Sequence, residues 1–140
     1  MVLAMIPRSQ LRSQCPVACT LDVIGDRWTL LVIRDLFFGK RHFAEFLASP
    51  EGIATNILTA RLAWLAKLKL VRRVQVKADR RRVAYELTPA GTDLKPLLKE
   101  AGRWGIKHFH DGVAPPGMRP LPEARRNGKK HARQAARKGS

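Results

Sequence analysis

With 140 residues, 45% of them hydrophobic, the chain has the size and ordinary composition of one folded domain around one core. A formal charge of +16 and a pI near 11.3 are not ordinary, and they point to a polyanionic partner, either nucleic acid or an acidic membrane surface. No stretch approaches the ~20 apolar residues of a bilayer span, apolar residues 1–6 lack the flanks of a signal peptide, and two cysteines are too few for a disulfide-stapled secreted scaffold, so a cytoplasmic protein without membrane insertion is expected.

Pro16 suits the first turn of a helix, where its missing N–H would be unpaired anyway. Val17, Leu21 and Ile24 follow at i, i+4, i+7 spacing, and Gly25 stops the run. A second helix is predicted from about Trp28 to Phe38; it is apolar almost all round and therefore central. A short third helix carries Phe43, Phe46 and Leu47 and ends before the turn signal Pro50-Glu51-Gly52. The fourth begins near residues 53–55 and places Leu58, Leu62, Leu65 and Leu68 on one stripe.

The period then changes to two. Val74 and Val76 alternate with Arg73 and Gln75, and Val83, Tyr85 and Leu87 with Ala84 and Glu86, which predicts two antiparallel strands. The link between them, Lys77-Ala78-Asp79-Arg80-Arg81-Arg82, is polar and strongly basic. Thr88-Pro89 gives an N-cap and a proline at the first helical position, opening a long last helix with apolar positions Leu94, Leu97, Leu98, Ala101, Trp104 and His108. Pro96 inside it removes one backbone hydrogen bond and predicts a bend or a local loosening. Residues 1–112 read as the folded body. From residue 113 the chain turns Pro/Gly-rich and then basic, Arg119, Arg125, Arg126, Lys129, Lys130, Arg133, Arg137 and Lys138 facing only Glu123, so 113–140 reads as a disordered tail.

Three helices, a fourth, a two-stranded hairpin with a basic link and a long closing helix make a mostly helical α+β fold: a winged helix-turn-helix with a C-terminal dimerisation helix. If Leu58, Leu62 and Leu65 point inward, the opposite face of the fourth helix holds Asn56, Thr59, Ala60 and Ala63. That face is small, polar and free of acidic groups. Asn56 is suited to bidentate pairing with adenine and Thr59 to a thymine methyl, with Thr55 beside them and Arg61 on the flank toward phosphate or a neighbouring helix. Lys77, Arg80, Arg81 and Arg82 of the wing are expected to reach phosphates or a minor groove. The partner implied is double-stranded DNA. A charge-driven, non-specific nucleic-acid binder is the alternative.

These segments together resemble the HxlR-type winged-helix transcriptional regulators, relatives of the MarR group. The resemblance runs through Cys15-Pro16, Leu21-Asp22-Val23-Ile24-Gly25-Asp26-Arg27-Trp28, His42-Phe43, Glu45-Phe46, Gly52-Ile53 and Leu58-Thr59-Ala60-Arg61-Leu62. It continues through Asp79-Arg80-Arg81-Arg82, Tyr85-Glu86-Leu87-Thr88, Gly91, Trp104-Gly105 and His108. It implies a homodimer joined by its first and last helices on a roughly palindromic operator, and Trp104 and Phe109 would otherwise be exposed. Ala54 stands where the family has a serine cap, so the cap moves to Thr55 or the helix loses ~1 kcal/mol. Lys69 stands where the family has glycine, at a cost of about 1 kcal/mol if the position is left-handed.

The resemblance also implies a sensor of oxidants or electrophiles at Cys15. At a helix N-terminus the dipole favours thiolate, and Arg12 adds positive charge nearby. Cys19, one turn on, is either a resolving partner or a small core residue. An enzyme is not expected: there is no Gly-rich phosphate loop, no Cys-x-x-Cys and no nucleophile–base set. No cofactor and no metal site are expected either, since His108 and His110 diverge on a helix. The effector is not specified by the sequence.

Overall fold

The computed structural model describes residues 11–122. Its elements are α1 (Pro16–Ile24), α2 (Thr29–Phe37), α3 (Phe43–Leu47), α4 (Thr55–Lys67), β1 (Val71–Val76), β2 (Asp79–Leu87), α5 (Pro89–Thr92) and α6 (Lys95–Phe109). This is the order of a winged helix-turn-helix, with α3 and α4 as the helix pair and the β1–β2 hairpin as the wing.

The leucine stripe of α4 organises the core. Leu58, Leu62, Leu65 and Leu68 are all buried, together with Ile33 of α2, Phe46 of α3, and Leu70 and Val71 at the entry to the wing. Trp64, on the flank of that stripe, donates its indole N–H to the Val23 carbonyl at 3.0 Å and so ties α4 to α1. Only Ile24 of the expected α1 face is buried. Val17 and Leu21 stay 66% and 53% exposed, because a nine-residue helix at the edge of the domain meets the core with its last turn alone.

Both ends of α4 depart from ideal helix chemistry. Ala54 remains the N-cap, with no side-chain hydrogen bond, and Thr55 is the first helical residue; the cap did not move. At the other end Lys69 has φ +57°, left-handed backbone. The N–H of Leu70 donates to Leu65 at 3.0 Å and that of Lys69 to Ala66 at 3.1 Å, the paired bonds of a Schellman motif. Leu65 and Leu70, both buried, supply its apolar contact, which offsets the ~1 kcal/mol a lysine costs in that conformation.

The wing corrects the expected strand ends. The turn is only Lys77-Ala78, and Asp79 to Arg82 belong to β2. The register passes from Gln75↔Val83 directly to Val76↔Asp79, leaving Arg80, Arg81 and Arg82 without partners on β1. The three arginines therefore form a bulge in a strand, not the tip of a loop. At the other end of β2, the Tyr85 N–H donates to the Arg41 carbonyl at 2.8 Å, which anchors the wing to the segment before α3.

The last helix is also corrected. It is not one bent rod but two pieces, α5 and α6, with Asp93 and Leu94 between them. Within one continuous helix the Pro96 ring would clash with the Thr92 carbonyl and lack a donor for it. The break moves Pro96 into the first turn of α6, where neither penalty applies. Thr88 caps α5 by accepting the Gly91 N–H at 3.2 Å. Gly91 itself is buried where α5 crosses the start of the wing, and a Cβ there would run into the Leu70 carbonyl oxygen. Of the segment read as a tail, residues 113–122 are described and residues 123–140 lie outside the described residues.

Candidate nucleic-acid interface

Opposite the buried leucines, α4 exposes Thr55, Asn56, Thr59, Ala60 and Ala63. Thr59 donates its hydroxyl to the Thr55 carbonyl at 2.9 Å, which commits the O–H proton to the helix backbone and leaves the oxygen's lone pairs and the methyl for a partner. Arg61 is half-buried, its guanidinium 3.4 Å from an Asp26 carboxylate oxygen. Lys77, Arg80, Arg81 and Arg82 are all exposed on the wing. Asp79 bonds the Arg81 backbone N–H at 2.9 Å, so it shapes the bulge.

Two polar clusters that sequence reasoning missed hold these elements in place. Asp35, on the inner side of α2, is buried. It accepts from Arg34 Nε and Nη2 at 3.1 and 2.9 Å, from Lys40 Nζ at 3.3 Å and from the Ser49 hydroxyl. Lys40 also reaches Ser49 Oγ at 2.6 Å, and Arg34 forks onto Glu51 at 2.6 and 2.9 Å. Ser49 and Glu51 lie in the turn between α3 and α4, so the network fastens that turn to α2. At the root of the wing, Glu86 pairs with Arg41 and, at 2.8 Å, with Arg72. The nearest signal in the sequence was the adjacent charged pair Arg34-Asp35 inside a mostly apolar helix.

Three carboxylates, Asp26, Glu51 and Glu86, are held below their ordinary range. For Asp26 burial pushes the pKa up, but hydrogen bonds from the Thr29 hydroxyl and from the Trp28 and Thr29 N–H groups outweigh it, and Arg61 adds to them. The Arg34 hydrogen bond lowers Glu51, and Arg72 followed by Arg41 lowers Glu86. Arg34 is correspondingly raised, by Glu51 first. Folded-state values below the unfolded ones mean stability that is present near neutral pH and lost as pH falls through the folded values. The unfolding free energy is therefore expected to decline below about pH 4. Asp26→Asn should flatten that decline; a wild-type stability constant from pH 5 to pH 3 would contradict the assignment.

The last helix divides its apolar positions. Leu94 and Leu98 pack against the domain core, whereas Leu97, Ala101, Trp104 and His108 are exposed. Trp104 stacks on His108 with centroids 4.7 Å apart and meets Phe109 edge-on at 5.6 Å, so three rings form one open cluster. Cys15 caps α1 and is exposed; its N–H donates to Ser13 Oγ at 3.0 Å, and the Cys19 thiol donates to the Ser13 carbonyl at 3.2 Å. Both thiols are free. The charge expected from Arg12 beside Cys15 is committed to Asp22, Nε to Oδ1 at 2.6 Å. Among the described residues no helix is long and apolar enough to cross a membrane.

The comparisons with known proteins agree with this geometry. Residues 23–112 match the HxlR-like helix-turn-helix family. An uncharacterised HTH-type transcriptional regulator of Mycobacterium tuberculosis is 39% identical over 100 residues, which are 71% of this chain and 63% of the relative. The match thus spans somewhat under two thirds of that relative's length. The structure of PA1607, a proposed transcription factor, superposes with a TM-score of 0.68 and 38% identity over 86% of this chain and 82% of its own. The redox regulator HypR in its oxidised form gives a TM-score of 0.62 and 33% identity over 67% of this chain and 97% of HypR. With the match running from the end of α1 through α6, this chain belongs to the HxlR-like helix-turn-helix family.

Proposed function

We propose that the chain is a transcriptional regulator that binds double-stranded DNA sequence-specifically, as a homodimer on a roughly palindromic operator. The observation that supports this most is one surface: the small, polar, acid-free face of α4 beside a wing whose three arginines stand outside the strand ladder. In this reading Thr55, Asn56, Thr59 and Ala60 of α4 approach base edges in the major groove, and Lys77, Arg80, Arg81 and Arg82 hold phosphates or the minor groove. Arg61 orients α4 through Asp26 and reaches a phosphate from its flank. Exposed Val17 and Leu21 on α1 and Leu97, Ala101, Trp104, His108 and Phe109 on α6 support pairing with a second copy, with Leu94 and Leu98 holding α6 in place beneath them. Residues 1–112 then carry both DNA binding and dimerisation.

Competition binding tests the reading. The protein should hold a fragment of its own promoter region about 10³-fold more tightly than random DNA of the same length. Equal affinity for both would favour a charge-driven binder instead. Within the operator, Asn56→Ala should lose roughly 1–3 kcal/mol at particular base pairs. A loss spread evenly over all sequences would leave Asn56 a positioning role only.

The exposed thiol at Cys15 supports a regulatory step, as does the likeness to HypR, a redox regulator. Oxidation or alkylation beside the dimer seam would change the spacing of the two α4 helices and with it operator affinity. Operator binding of wild type and Cys15→Ser with and without diamide tests this; identical responses would exclude Cys15.

A further inference from the structure

The chain does not leave the domain where α6 ends. Gly112, at φ +79°, donates its N–H to Ile106 at 3.0 Å and turns the backbone out of the helix. Pro115-Pro116-Gly117-Met118 makes a second reversal, with Gly117 at φ +80° and the Met118 N–H on the Pro115 carbonyl at 3.1 Å, as in a type II turn. Beyond it the Arg119 guanidinium lies 5.5 Å from the centre of the Phe38 ring, at the end of α2. The Pro122 carbonyl then accepts from Lys95 Nζ, on a buried lysine at the start of α6. Residues 110–122 therefore run back from the last turn of α6 to its first, a return of roughly 20 Å for a fifteen-residue helix. Pro115, Pro116, Pro120 and Pro122 fix φ along that return and make it stiff.

α6 has little other support. It starts straight after the break at Asp93 and Leu94, and the residues that pack it on the core, Leu94 and Leu98, both lie at that end. From Leu98 to Phe109 the helix extends about 16 Å. A swing of ~10° about the break would move its far end by about 3 Å, close to the rise of one base pair along a duplex. That far end carries Trp104, His108 and Phe109, the ring cluster assigned above to the second copy. Residues 110–122 tie it to Phe38, and Phe38 closes the helix whose Asp35 accepts from Ser49 in the turn before α4. A short path thus joins the dimer seam to the helix that reads DNA.

We propose that residues 110–122 are a brace that fixes the angle of α6, and that Arg119 is the positioning residue through which the brace sets the spacing of the two α4 helices on the operator. The proposal rests on the homodimer reading above and names the element that decides which half-site separation the dimer accepts. Arg119 acts through the Phe38 ring. With the brace loosened α6 takes several angles, so the natural separation is bound less well and its neighbours are discriminated less.

The full chain is compared with Arg119→Ala, with Arg119→Lys and with a chain whose residues 113–118 are replaced by glycine and serine. One readout needs neither DNA nor a partner. Spin labels at Ala63→Cys and Lys107→Cys, in a Cys15→Ser, Cys19→Ser background diluted with unlabelled chain, report the distance from α4 to the far end of α6 within one protomer. Its distribution should be narrow with the brace intact and broader in Arg119→Ala and in the glycine–serine chain. The other readout is binding to the footprinted promoter site, with its half-sites at the natural separation or moved by one base pair either way. The full chain should prefer the natural separation by roughly tenfold, and both loosened proteins should lose most of that preference. Arg119→Lys keeps a cation over Phe38 and should restore both readouts. An unchanged distance distribution in the loosened proteins would overturn the proposal. So would an equal loss at every separation with a shallower salt slope, which would make Arg119 a phosphate contact. A narrow distribution in the full chain with no preferred separation would overturn it differently, through the reading of a dimer on a palindrome.

Discussion

Replacing Arg80, Arg81 and Arg82 together with alanine is expected to weaken DNA binding by roughly a hundredfold or more at 0.1 M salt and to make the salt slope shallower by about 3 per protomer. The three side chains are exposed, and none has a strand partner, because the register steps past them between Val83 and Asp79. Among the described residues no ion pair uses their charge. Their removal should therefore leave the unfolding free energy within the roughly ±0.5 kcal/mol typical of surface changes. The ratio of promoter to random-DNA affinity should also survive, since phosphate contacts position the protein without reading sequence. A salt titration with wild type alongside is sufficient. An unchanged slope would remove the wing from the interface.

Asp35→Ala should have the largest effect on stability, a loss of about 3–5 kcal/mol. Asp35 is buried and is the common acceptor for Arg34, Lys40 and Ser49. Without it the buried Ser49 hydroxyl and the half-buried Lys40 ammonium face each other with no anion between them. For a domain of about a hundred residues this corresponds to a fall in midpoint of more than 10 °C. Lys40→Ala in the Asp35→Ala background should cost much less than it does alone, because the charge it removes has already lost its partner. Additive losses in that cycle would mean the two groups are not coupled. DNA binding should fall as well, since Ser49 belongs to the turn that aims α4.

How far the sequence could be read depended on the range of the interaction. The leucines at 58, 62, 65 and 68 announce α4 through their period alone, and the structure buries all four. The switch to alternation after Leu70 announces the wing in the same way. Polar residues hid more. Arg80, Arg81 and Arg82 look like a loop because no apolar alternation runs through them, yet they continue β2 as a bulge. The role of Asp35 is not legible locally, because beyond the adjacent Arg34 its partners Lys40 and Ser49 lie five and fourteen residues away and meet it only across a turn. Pro96 was legible as a disturbance, but not as the start of a new helix.

The order of elements, the inward stripe of α4 and the cationic character of the wing follow from the sequence by itself, because hydrophobic period and local turn chemistry act over a few residues. Which apolar residues of α1 and α6 stay uncovered, where residues 110–122 run after α6 and which carboxylate clamps the α3–α4 turn were decided only in the tertiary structure. The reason is physical: burial and ion pairing depend on what arrives from elsewhere in the chain, and a residue's own neighbours do not encode that.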